Sequence, residues 1–91
     1  MKNIEKDTAI KIGMELAREA HRAGTLYPPF NSAHEGFAIL LEEVDELWDE
    51  VKKKNHDIEA MRKEVVQVGA MAIRFIYDVL GTEPIPTEVK E

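Results

Sequence analysis

The sequence predicts an all-α fold of three main helices, and three observations carry that expectation. Apolar residues recur at helical spacing in three long segments. Capping or breaking residues separate the segments, and no alternating strand-like run occurs. The first segment runs from Ile4 to about Ala23, is rich in Ala, Leu, Met, Lys and Glu, and is expected to stop near Gly24. Its apolar residues lie on two sides, Ile4, Ile12 and Leu16 on one and Ile10, Met14 and Ala17 on the other, as in a helix with two neighbours. Thr25 to Phe30 is a stiff connector, because Pro28 and Pro29 exclude helix.

The second helix starts at Asn31 or Ser32, with Glu35 three residues after Ser32 as in a capping box, and continues to about Lys54. Asn55 and His56 form a turn. Asp57 caps the third helix, which ends at Gly81. Residues 1–81 read as one helical domain, and 82–91, with two prolines and no periodicity, as a flexible C-terminal tail.

At 91 residues and without cysteine, the chain has neither a large core nor disulfides to staple a small one. Self-association is the expected source of the missing burial. The lack of cysteine suits a reducing, cytoplasmic setting. Val65 to Leu80, the most apolar stretch, is interrupted by Gln67, Arg74 and Asp78 and predicts a buried helix rather than a membrane span. The net charge of −6 argues against a nucleic-acid polymer as partner. A phosphate ligand is compatible with that charge if metal ions stand between the two negative partners.

On the second helix, Phe37, Leu40, Leu41, Val44, Leu47, Trp48 and Val51 gather in an arc of about 120°, which places Trp48 in the expected core. The opposite side is acidic. Between Glu35 and Glu50 there are seven acids and no Lys or Arg, so Glu42–Glu46, Asp45–Asp49 and Glu46–Glu50 are like-charge pairs, each costing roughly 0.2–0.5 kcal/mol. Taken alone, such a run is compatible with a solvated face. On the third helix the polar residues Lys63, Glu64, Gln67, Arg74 and Asp78 fall in one narrow stripe, which predicts a central position. Glu43 and Glu46 share a face at i, i+3, and Glu64 and Gln67 repeat the spacing. An antiparallel hairpin brings the two pairs together, an arrangement suited to a hard divalent ion such as magnesium.

Glu42-Glu-Val-Asp-Glu46, separated by 17 residues from Glu64-Val-Val-Gln67, resembles the signature EExxE…ExxD of the MazG-like all-α nucleoside triphosphate pyrophosphohydrolases. Phe30-Asn-Ser-Ala-His-Glu-Gly36 and the run from Gln67 to Phe75 further resemble small phage and microbial proteins of that family, so the likeness spans about residues 26–80. It implies a four-helix-bundle core completed by oligomerisation, as a homodimer or homotetramer. It also implies dependence on Mg2+ (with Mn2+ as a substitute) and cleavage of a nucleoside triphosphate to monophosphate and pyrophosphate. By position, Glu43, Glu46 and Glu64 match metal ligands, and Glu42 matches an acid that positions or deprotonates water. Gln67 stands where the pattern has Asp. An amide oxygen still ligates a hard cation, but the site loses one negative charge. Either a nearby acid such as Glu35 compensates, or the chain binds nucleotides with little turnover.

Asp78 lies ~16 Å further along the helix and does not substitute. Arg74 is a partner for Asp78 at i+4 or a phosphate contact. His34 is a local hydrogen-bonding residue or a substrate contact. Phe30 is the aromatic ring most suited to stacking on a base. Three readings follow: a pyrophosphohydrolase, a non-catalytic nucleotide- or metal-binding module, and a structural helical oligomer.

Overall fold

The computed structural model describes residues 3–81, and the expected tail at 82–91 lies outside them. Three helices are present: α1 (Lys6–Leu26), α2 (Ala33–Val51) and α3 (Ile58–Phe75), the last continuing into a widened π-type turn over Ile76–Leu80. There is no strand among the described residues, and none of their helices is long and apolar enough to cross a membrane.

The helix ends follow local chemistry. α1 runs through Gly24 and stops at Leu26, later than expected. An interior Gly costs only about 1 kcal/mol relative to Ala, whereas Pro28 forces the residue before it out of helical geometry. Tyr27 accordingly has φ −127° and ψ 148°. Ser32 caps α2, its hydroxyl accepting from the Glu35 amide at 3.0 Å. The reciprocal arm is displaced by one residue, since the Glu35 carboxylate accepts from the Asn31 amide at 2.8 Å. α2 ends at Val51, short of Lys54, and His56 Nε2 meets the Val51 carbonyl at 2.8 Å in the turn that follows. Asp57 caps α3, accepting from the Ala60 amide at 3.1 Å. Gly81 closes the last described turn at φ +60°, a left-handed conformation suited to glycine.

α3 is central, with α1 and α2 each packed on it. Two glycines let the helices approach. A Cβ on Gly69 would stand 2.6 Å from Leu16 of α1, and one on Gly36 would stand 2.8 Å from Phe75. The buried core is small and made chiefly of small side chains: Ala20, Ala23, Ala70, Met71 and Phe30, flanked by Ile39, Leu40, Phe75 and Val79.

The apolar arc of α2 corrects an expectation. Trp48 is 57% exposed and Phe37 60%, with Leu41, Val44 and Val51 also exposed, so Trp48 is not core within one chain. The apolar face called for a partner, and α3 packs mainly elsewhere on the helix. α1 likewise leaves Ile10, Ile12 and Met14 exposed. Among the described residues, α3 is the element that packs extensively on α1.

Candidate metal centre

α1 and α2 flank the polar stripe of α3, and a cleft of about 600 Å³ opens along it. Glu43 and Glu46 enter from α2 and Glu64 from α3. Each offers a carboxylate oxygen, and the three oxygens lie within 4.8 Å of one another. The i, i+3 spacing on α2 and the antiparallel hairpin thus do what the sequence pattern demanded. Glu43 and Glu64 are half-buried and Glu46 is exposed.

This convergence has an electrostatic consequence. Partial burial, a hydrogen bond with Glu46, and the charges of Glu46, Glu64 and Glu42 push the Glu43 carboxyl up to about 7. Near neutral pH the cluster therefore favours a shared positive charge, either a proton or a metal ion. The donor set consists of hard carboxylate oxygens from two converging helices, without nitrogen or sulfur. Such a set fits magnesium or manganese and suits softer metals poorly.

Gln67 lines the same cleft one turn after Glu64. Its amide nitrogen donates to Glu19 of α1 at 2.6 Å. Glu19 also receives a forked pair of hydrogen bonds from Arg22, at 2.9 and 2.6 Å, and these bonds, with the one from Gln67, hold its carboxyl below the usual range. Lys63 lines the cleft as well, so cations border the acidic cluster. Glu35 reaches the cleft, but its carboxylate is occupied with Asn31, at 2.8 Å to the amide and 3.4 Å to the side chain. It does not join the three-carboxylate cluster.

The far end of the cleft is built differently. Arg74 is 7% exposed, sits 3.8 Å from Asp78 and donates to the Pro28 carbonyl at 2.9 Å. Its guanidinium lies 4.5 Å from the Phe30 ring centroid. Asp78, in the widened turn, also accepts from the Phe30 amide at 3.0 Å. The i, i+4 pairing of Arg74 with Asp78 is thus present, and it ties the proline connector to α3. Phe30 is 5% exposed and forms part of the core. Exposed Tyr27 and Pro28 lie at the rim. Glu42 and His34 are exposed on α2 and do not line the cleft within one chain.

Glu19, Arg22 and Tyr27 are cleft residues that sequence reasoning missed, whereas Lys63 belongs to the expected polar stripe of α3. Only a weak signal pointed to the first two: Glu15, Glu19 and Arg22 lie on one side of α1, at i, i+4 and i+7. Compared with protein-family models, curated proteins and solved structures, the chain shows no match in any of the three.

Proposed function

We propose that the protein is a magnesium-dependent nucleotide pyrophosphohydrolase, converting an NTP or dNTP to the monophosphate and pyrophosphate. The observation that carries this reading is the convergence of Glu43, Glu46 and Glu64 in a cleft that also presents Arg22 and Lys63. Acids alone would repel a triphosphate; acids able to hold a cation, with basic residues beside them, form a surface that attracts one.

In this reading Glu43, Glu46 and Glu64 hold the metal, Gln67 contributes a neutral oxygen, and Arg22 and Lys63 contact the phosphate chain. A divalent ion held there would supply charge neutralisation on the phosphates and a more acidic water. Water attacks one phosphorus of the α–β bridge; its oxygen stays on that phosphate, the bridging oxygen leaves with the other product, and the water's protons pass to solvent. Glu42, outside the cleft lining but close enough for its charge to act on Glu43, is the proposed water-positioning acid, and Tyr27, with the edge of Phe30, marks the end for the base. Arg74, held by Asp78 and Pro28, supports that end, and His34 has no assigned contact.

Self-association belongs to the same reading. Phe37, Leu41, Val44, Trp48 and Val51 follow 4-3-4-3 spacing along the exposed side of α2, the pattern of a helix-pairing seam. A second copy completes a four-helix bundle there, as a homodimer or within a homotetramer, in the cytoplasm.

Pyrophosphate release over a panel of nucleotides with Mg2+ or Mn2+ tests the activity. Metal-dependent release in the wild type, reduced about 100-fold by Glu42→Gln with metal affinity unchanged, is expected of a water-positioning acid. The neutral amide of Gln67, where the pattern has an acid, favours one alternative, a nucleotide-binding module without turnover. Nucleotide-dependent thermal stabilisation with no pyrophosphate released would select it.

A further inference from the structure

We propose that Glu19 of α1 is a positioning residue for the metal centre, acting through Gln67; this rests on the cation-binding reading above. A glutamine amide has a donor end and an acceptor end of nearly equal shape, so only its hydrogen-bond partners decide which way it faces. A carboxylate accepts and does not donate. With the Glu19 oxygen 2.6 Å away, the NH2 end of Gln67 is committed to α1. The carbonyl oxygen is then the end left free. Gln67 shares the cleft stripe of α3 with Glu64, one turn earlier. An amide turned the other way would direct N–H donors, rather than a ligand oxygen, toward the cation.

Glu19 is well suited to this task. Its side chain is 16% exposed, against 57% for Arg22, and the Arg22 fork fixes both of its oxygens. It lies outside the three-carboxylate cluster and is already paired, so it acts through Gln67 rather than as a ligand. One turn earlier, Glu15 makes a similar bridge from α1 to α3, to Arg62 at 2.6 Å. That pair is more exposed and does not line the cleft, which makes it an internal control for helix–helix bracing.

The Glu19–Gln67 pair also changes what restoring the missing acid should do. A carboxylate at position 67 would face Glu19 with no proton donor between them. Gln67→Glu alone therefore weakens metal binding, and adding Glu19→Gln, which reverses the donor and acceptor, recovers it.

Mn2+ affinity measured by electron paramagnetic resonance, with no nucleotide present, tests this independently of turnover. Glu19→Met is expected to weaken Mn2+ binding about tenfold, the usual scale for a residue that orients a ligand. Glu19→Gln, which keeps an acceptor, is expected to restore most of that loss, and Glu15→Met to change affinity less than about twofold. In a Gln67→Met background the Glu19→Met effect is expected to vanish. Equal losses in Glu19→Met and Glu15→Met, or a Glu19→Met effect that persists undiminished without Gln67, would overturn the proposal while leaving the metal site intact. A wild type that binds no Mn2+ would overturn the metal site itself, and Glu19's role with it. Should Glu19→Met fail to fold, the exchange pair of Gln67→Glu with and without Glu19→Gln decides the matter by recovery or its absence.

Discussion

Two ends of one cleft handle charge in opposite ways. About 15 Å apart along α3, Arg74 and Asp78 at one end are buried, paired and hydrogen-bonded to the connector, with no buried side-chain polar atom left unsatisfied among the described residues. At the other end Glu43, Glu46 and Glu64 converge as like charges, and Glu43 is driven up to about 7. The first end is complete as a structure. The second gathers like charges, the feature on which the proposed cation site rests. A single polar stripe on one helix thus serves as a fastening at its C-terminal half and adds to a cluster of like charges near its start.

If that contrast is right, removing a charge has opposite effects at the two ends. Arg74→Ala leaves Asp78 buried without its cation and strips the packing from Phe30, so it destabilises by about 3 kcal/mol in denaturant unfolding. A loss below about 1 kcal/mol would show that the fastening is weaker than its burial implies. At the acidic end Glu43→Gln raises, rather than lowers, the melting temperature of the metal-free protein, because it removes mutual repulsion. On the proposed function it also lowers pyrophosphate release by about 100-fold or more, as expected for loss of a metal ligand.

The pH dependence sharpens the same point. Glu43 has a folded-state pKa of about 7, above its ordinary value of 4.5, so the folded protein holds a proton that the unfolded chain has released. Its penalty is absent below pH 4.5 and grows as pH rises toward 7. Metal-free protein therefore loses thermal stability between about pH 5 and 7, and saturating Mg2+ removes that slope by replacing the proton. The smallest expected effect is on assembly. Trp48→Glu shifts sedimentation toward a smaller species while metal affinity changes less than about threefold, because the seam and the cluster lie on different sides of α2.

The parts legible in the sequence are those set by local rules. Ser32 and Asp57 announce two helix starts through their caps, and Glu43, Glu46 and Glu64 follow from i, i+3 spacing across a tight hairpin. What escaped depends on long-range register. Glu19 meets Gln67 across 48 positions, and the register of α1 on α3 is fixed by the fit of Leu16 over Gly69, which no periodicity encodes. Amphipathic patterning found the apolar arc of α2 but could not say what covers it, which is why Trp48 proved exposed. Glu35 looked available as a substitute ligand because its bonds to Asn31 depend on the displaced cap, a detail of backbone geometry.

A Mn2+ binding isotherm at pH 8, on wild type beside Glu43→Gln, tests the shared-cation reading most directly. Saturable binding by the wild type, abolished or weakened at least tenfold in the variant, is the predicted result. Equal, weak and non-saturating binding in both would contradict it, leaving the three glutamates as a solvated acidic surface.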